Sequence, residues 1–143
     1  MIKNIRHTGI VTAELEPSLH FYRDLLGFTI TKEMEEGGPY IDNMSGLDNV
    51  AVKTIKMAAP DGALIELLHF QSHLLEKRPR NFNDIGIAHM AFTVEDLDEA
   101  YNQLKSAGVP FSAPPQLSPD GYAKVTFCRA PEGTYIELVQ VLQ

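Results

Sequence analysis

The stretch MAAPDGALIELLHF, Met57 to Phe70, sets a carboxylate, Glu66, inside the apolar run Leu64, Ile65, Leu67 and Leu68. Such a run reads as a strand covered on at least one face, where an ionised side chain is out of place. The same design returns in CRAPEGTYIELVQV, Cys128 to Val141, with Glu137 at the equivalent position. Pro60 aligns with Pro131 and Gly62 with Gly133, so the two segments read as copies of one turn and strand.

The repetition extends through the chain. NIRHTGIVTAELEPSLHFYRDLLGF from Asn4 matches GIAHMAFTVEDLDEAYNQLKSAGVPF from Gly86: a short strand with a central histidine, an acidic turn, a helix, then glycine. His7 thereby corresponds to His89. The first copy is longer between its helix and last strand, and the surplus falls around GGPYIDNMSGLDN, Gly37 to Asn49, which reads as a loop. Two modules follow, about residues 1–70 and 86–143, joined by a polar, basic linker over 71–85.

Each module has the order β-α-β-β-β. In the first, strands are expected at Ile5 to Thr12, Thr29 to Lys32, Ala51 to Met57 and Leu64 to Leu68, with a helix over PSLHFYRDLLG that Gly27 ends. In the second they fall at Ile87 to Val94, Val109 to Ser112, Ala123 to Cys128 and Tyr135 to Val141. The second helix carries the stripe Leu97, Ala100, Tyr101, Leu104 and Ala107, an acidic first turn and Gly108 at its end.

Alternation along the strands decides which way the unusual residues face. Ala88, Met90, Phe92 and Val94 share the side that suits packing under a helix, so His89 takes the other; Glu137 likewise opposes Ile136 and Leu138, and Glu66 opposes Ile65 and Leu67. A sheet with helices on one face and a hollow on the other would turn His7, Glu66, His89 and Glu137 towards that hollow. Burying an ionised glutamate costs several kcal/mol unless it is paired or metal-bound. A salt bridge to Arg6 or Arg129 would satisfy one glutamate, and a strand histidine is commonly a hydrogen-bonded core residue. Four such residues in register favour a divalent cation.

Composition bounds the function. With 143 residues, 44% hydrophobic and 22% charged, the chain suits one compact globular domain. A net charge of −7 argues against nucleic acid as a partner, the local KRPR patch at Lys77 to Arg80 notwithstanding. No apolar segment approaches a membrane span, no signal peptide is evident, and a cytoplasmic location is expected. The single cysteine, Cys128, has no partner for a disulfide or zinc cluster and should pack as a small hydrophobe. His20 and His69 are expected to be solvent-exposed or packed, and His73 to lie in the linker. Tyr40, Met44, Phe92, Tyr122 and Phe127 are equally explicable as pocket lining or as packing.

The strand histidine in RHTGIV, the helix end LHFYRDLLGF, the segment IAHMAFTVEDLDEAYNQLKSAGV and the paired strands PDGALIEL and PEGTYIEL together resemble the vicinal oxygen chelate superfamily. That superfamily includes glyoxalase I, methylmalonyl-CoA epimerase, extradiol dioxygenases, and fosfomycin and bleomycin resistance proteins. The resemblance implies an α+β fold of two tandem βαβββ modules forming a cupped mixed sheet with helices on the outer face. It also implies one divalent metal ion, zinc, nickel, cobalt, manganese or iron, held by His7, Glu66, His89 and Glu137, a set similar to that of bacterial glyoxalase I. The implied function is a metal-dependent isomerase or lyase of the glyoxalase I type that chelates a small carbonyl substrate and stabilises an enediolate, with Glu137 or Glu66 moving the proton. A homodimer is expected. The alternatives are a methylmalonyl-CoA-type epimerase, usually with glutamine at the place of Glu66, a dioxygenase with a His-His-Glu triad, and a drug-sequestering resistance protein.

Overall fold

A computed structural model describes residues 1–143 and shows an α+β fold of two four-stranded mixed sheets. The chain divides into two compact units, residues 1–77 and 78–143. In the first, the elements are β1 (Thr8–Val11), α1 (Leu15–Leu19) running into a π-helical turn (His20–Leu25), β2 (Thr29–Gly37), α2 (Pro39–Ser45), β3 (Ala51–Ala58) and β4 (Leu64–Phe70). In the second they are β5 (His89–Thr93), α3 (Leu97–Ser106), β6 (Gln116–Leu117), β7 (Ala123–Arg129) and β8 (Tyr135–Val141). The sheet orders are β1-β4-β3-β2 and β5-β8-β7-β6, so both units share one topology. In each, the first strand lies parallel beside the last and the remaining pairs are antiparallel.

The repeated APDGA and APEGT segments form the same tight turn. Ala59 N–H donates to the Ala63 carbonyl at 2.8 Å, and Ala130 N–H to that of Thr134 at 2.9 Å. Gly62 and Gly133 sit there at φ +87° and +98°, a region that costs other L-residues energy. These turns lock the register of the β3-β4 and β7-β8 hairpins, and a slip of one residue would turn each glutamate to the other face.

In the first unit Ile10, Leu67 and Ile55 are cross-strand neighbours on one face, joined by Ile65 and Met57. All five are buried and form the core with Leu19, Phe21 and Tyr22 from the helix. In the second, Ile136, Leu138 and Cys128 share the core with Leu97 and Leu104 of α3. Asp96 caps α3 by accepting from Glu99 N–H at 2.9 Å, while Gln140 on β8 accepts from Leu97 N–H at 3.0 Å. Ala107, expected in the apolar stripe, is exposed at the helix end.

Four boundaries differ from expectation. Gly37 to Asn49 is not wholly loop, because Pro39 opens α2 and Gly46, at φ 70°, closes it. The Asp42 carboxylate then ties the following turn down, accepting from Asn49 and Val50 N–H at 3.0 and 2.9 Å. No strand spans Val109 to Ser112; Phe111 makes one isolated bridge to Cys128, and the fourth strand forms instead at Gln116–Leu117. Pro110, Pro114 and Pro115 lack the N–H groups a longer ladder needs. Conversely, β2 runs on to Gly37 through Glu33, Glu35 and Glu36, charges suited to an edge strand. The first strand of each module is shorter than expected, so His7 stands just before β1.

Burial pushes the Cys128 thiol up to about 12. Raised above its unfolded value, the group supports the fold fully below the ordinary thiol range, and that support drains away as pH climbs from there towards 12. The native protein should therefore resist thiol reagents at pH 8 until denaturant is added. Melting curves above pH 9 should fall more steeply for the wild type than for Cys128→Ala; rapid native labelling would contradict the buried placement.

Candidate functional site

Parallel pairing of first and last strands brings one histidine beside one glutamate in each unit. Gly9 pairs with Glu66, and His7 stands two residues earlier, just before β1. His7 Nε2 approaches Glu66 Oε1 at 3.9 Å, too far for a hydrogen bond. The other oxygen of Glu66 faces Lys56 Nζ at 3.6 Å. In the second unit Ala91 pairs with Glu137, and His89 Nε2 lies 3.0 Å from Glu137 Oε2. The carboxylates are mostly covered, with side-chain exposures of 15% for Glu66 and 23% for Glu137.

The histidines themselves separate the functional from the structural reading. His20 Nδ1 pairs with Asp24 at 3.1 Å, His69 Nδ1 with the Thr12 carbonyl at 3.2 Å, and His73 Nδ1 with Ser72 Oγ at 2.9 Å. Only in His7 and His89 is Nδ1 buried with no hydrogen-bond partner. A histidine that merely fills a core bonds its buried nitrogens. Finding the same unmet nitrogen at two equivalent positions, each ring also turned towards a carboxylate, fits side chains kept for a partner from outside the chain. Imidazole and carboxylate together suit a divalent ion of the borderline kind. Neither unit alone gathers three or more His, Cys, Asp or Glu side chains into a metal-holding cluster.

The remaining candidates have other employment. His20, exposed, joins Arg23 in holding Asp24, whose carboxyl falls to about 2 chiefly through the Arg23 hydrogen bond and then that of His20. Arg129 does not reach a glutamate. Its guanidinium lies 4.1 Å over the Tyr135 ring and donates to the Tyr135 hydroxyl and the Arg80 carbonyl. The cation beside Glu66 is Lys56, not Arg6. Of the KRPR patch, Arg80 is bound into the second unit by its contact with the Ile87 carbonyl. Tyr40, Met44 and Tyr122 are exposed, and Phe92 lies with Leu138 on the face opposite His89 and Glu137.

An aromatic wall surrounds His89. Phe82 stacks on the imidazole at 5.9 Å with the planes 11° apart, and Phe127 meets it edge-on at 5.1 Å. Phe82 also packs against Phe127 and Tyr135. Phe82 sits in what reads as linker, and no pattern in the sequence marks it. Lys56 was within reach of sequence reasoning: it stands three residues before Ala59 as Glu66 stands three after Ala63, and those two alanines close the turn.

The profile of the Glyoxalase/Bleomycin resistance protein/Dioxygenase superfamily matches residues 4–138. The chain belongs to that superfamily. It is 28% identical over 139 residues to the uncharacterized protein YaeR of Escherichia coli, covering 97% of each chain. It is 27% identical over 136 residues to the "Probable lactoylglutathione lyase" of Synechocystis, covering 94% of this chain and 92% of that one. A glyoxalase family protein of Bacillus cereus has the same fold, with a TM-score of 0.89 at 24% identity over 100% of this chain and 97% of that one. In this glyoxalase-superfamily chain, no helix is long and apolar enough to cross a membrane.

Because only two of five histidines have a buried, unmet ring nitrogen, they should respond alone to an added ion. One equivalent of zinc given to metal-free protein should move the ring-nitrogen resonances of His7 and His89 and leave those of His20, His69 and His73 in place. Movement confined to the latter three would sink the assignment.

Proposed function

We propose that the chain is a divalent-metal-dependent isomerase or lyase of the glyoxalase I type, acting on a small carbonyl compound. The observation that carries this is the repeated His-Glu pair with an unpartnered imidazole nitrogen in each unit. Membership of a superfamily named for glyoxalase, and likeness to a probable lactoylglutathione lyase, support it. His7, Glu66, His89 and Glu137 would hold one ion, zinc, nickel, cobalt, manganese or iron, within one chain or across a homodimer. Such an ion supplies Lewis-acid stabilisation of negative charge as it develops on neighbouring substrate oxygens.

The protein's own work is then binding and proton transfer. Glu137, held against His89, whose ring Phe82 and Phe127 flank, is the first choice for the base that takes a proton from carbon next to the carbonyl. Glu66 is the weaker candidate, because Lys56 already engages one of its oxygens. A sequestering protein of the resistance type would need the carboxylates only for charge compensation.

Glu→Gln retains an oxygen and removes most of the basicity. With metal-loaded protein and hydroxyacetone as probe, exchange of the carbon-bound protons into D₂O, read by NMR, should fall roughly 10²-fold or more in Glu137→Gln. Glu66→Gln should cost less. Tight ligand binding by the wild type with no exchange would replace the enzyme by a sequestering protein.

A further inference from the structure

The two units agree at the histidine and the glutamate and part company at the next strand. Across the first sheet one row of cross-strand neighbours reads Gly9, Glu66, Lys56, Lys32. The corresponding row of the second sheet reads Ala91, Glu137, Phe127. Lys56 and Phe127 hold the same place relative to the hairpin turn, yet one carries a cation and the other an aromatic ring. Two lysines directly opposite one another on antiparallel strands repel, an arrangement that is costly unless an anion compensates it. Glu66 is the one carboxylate in the row. On β2, Glu33 and Glu35 pair with Ile55 and Lys53, off this row, and Glu36 lies further along opposite Val52.

From this asymmetry we infer that Lys56, supported by Lys32, is a specificity-determining residue that binds an anionic group of the substrate, a carboxylate or phosphate next to its metal-chelating oxygens. The inference rests on the metal-centre reading above. Once Glu66 serves a divalent ion, its charge is no longer available to Lys56, whose ammonium is then left beside another cation. Two glutamates balance the ion, neutral histidines add nothing, and the lysine leaves the site with an excess of positive charge. Lys56 is only about a quarter exposed, at 27%, whereas Lys32 across from it is exposed. An anionic substrate meets both demands, whereas a neutral carbonyl compound meets neither.

Hydroxypyruvate and hydroxyacetone offer the same hydroxyketone chelate and differ by a carboxylate in place of a methyl group, while dihydroxyacetone phosphate presents a phosphate. Each is titrated into cobalt(II)-loaded protein, with binding followed by the visible absorption of the ion. Lys56→Met should weaken hydroxypyruvate at least ten-fold and hydroxyacetone less than two-fold, and Lys56→Arg should restore most of the loss. Without any of these probes, Lys56→Met should bind cobalt several-fold more tightly, because a like charge has gone and Glu66 is released. Lys56→Gln, run in parallel, guards against a folding defect in one variant. Equal weakening of charged and neutral probes, or of neither, overturns the role of Lys56. Dependence shown by hydroxypyruvate alone assigns a carboxylate, and dependence shown only by dihydroxyacetone phosphate assigns a phosphate. Wild-type protein that takes up no cobalt overturns the metal-centre reading and this proposal with it, whereas uptake without charge preference overturns this proposal alone.

Discussion

Parallel pairing of the first and last strand is the constraint on which each half of this protein depends. It sets β1 against β4 and β5 against β8, and it alone brings a histidine from one end of the module alongside a glutamate from the other. The helix between first and second strand follows from that pairing, since a chain leaving one strand must cross over before a parallel neighbour can form. The antiparallel strands then fill the sheet outward. Their hairpin turns, with glycine at positive φ, keep the glutamate on the face away from the core.

Desolvation explains why the pair is worth this arrangement. Each carboxylate is largely withdrawn from water, with 15% of the Glu66 side chain and 23% of the Glu137 side chain exposed, and must find compensation nearby. Each unit solves this differently. Glu66 divides its oxygens between His7 and Lys56, while Glu137 has His89 at 3.0 Å and aromatic rings around that imidazole. The more apolar setting leaves Glu137 as a carboxylate with no lysine or arginine competing for it. That difference, and not the shared histidine-glutamate motif, is what would give the two glutamates unequal tasks in the proposed reaction.

Much of this was legible because repetition and period-two alternation act over short distances. Tyr135–Val141 forms the expected strand to the residue, and the facing of His89 and Glu137 follows from counting along it. The βαβββ order of both modules was equally open to reading. What escaped depends on contacts beyond the local window. The fourth strand of the second unit moved past Pro114 and Pro115 because a ladder needs donors that only the partner strand reveals, and α2 was hidden in a turn-rich segment despite its proline start and glycine end. The sequence points to an arginine as the cation for Glu66, but register across the hairpin supplies Lys56. Phe82 could not be placed by any count, since its stacking on His89 is set by the tertiary path of the chain before β5.

The pattern of agreement and divergence between the halves bears on how such a site acquires specificity. The residues proposed to hold the ion, the histidine and the glutamate, lie on or beside the paired first and last strands, where any change of register disturbs the whole sheet. Lys56 and Phe127 sit one strand further out, at a position whose side chain can change while the hairpin and its turn stay intact. A cation there favours charge and an aromatic ring favours an apolar surface. A duplicated module can thus keep its reactive groups identical and still present unlike surroundings to a ligand, because the strand that holds the carboxylate and the strand that tunes its environment are separate elements of the same sheet.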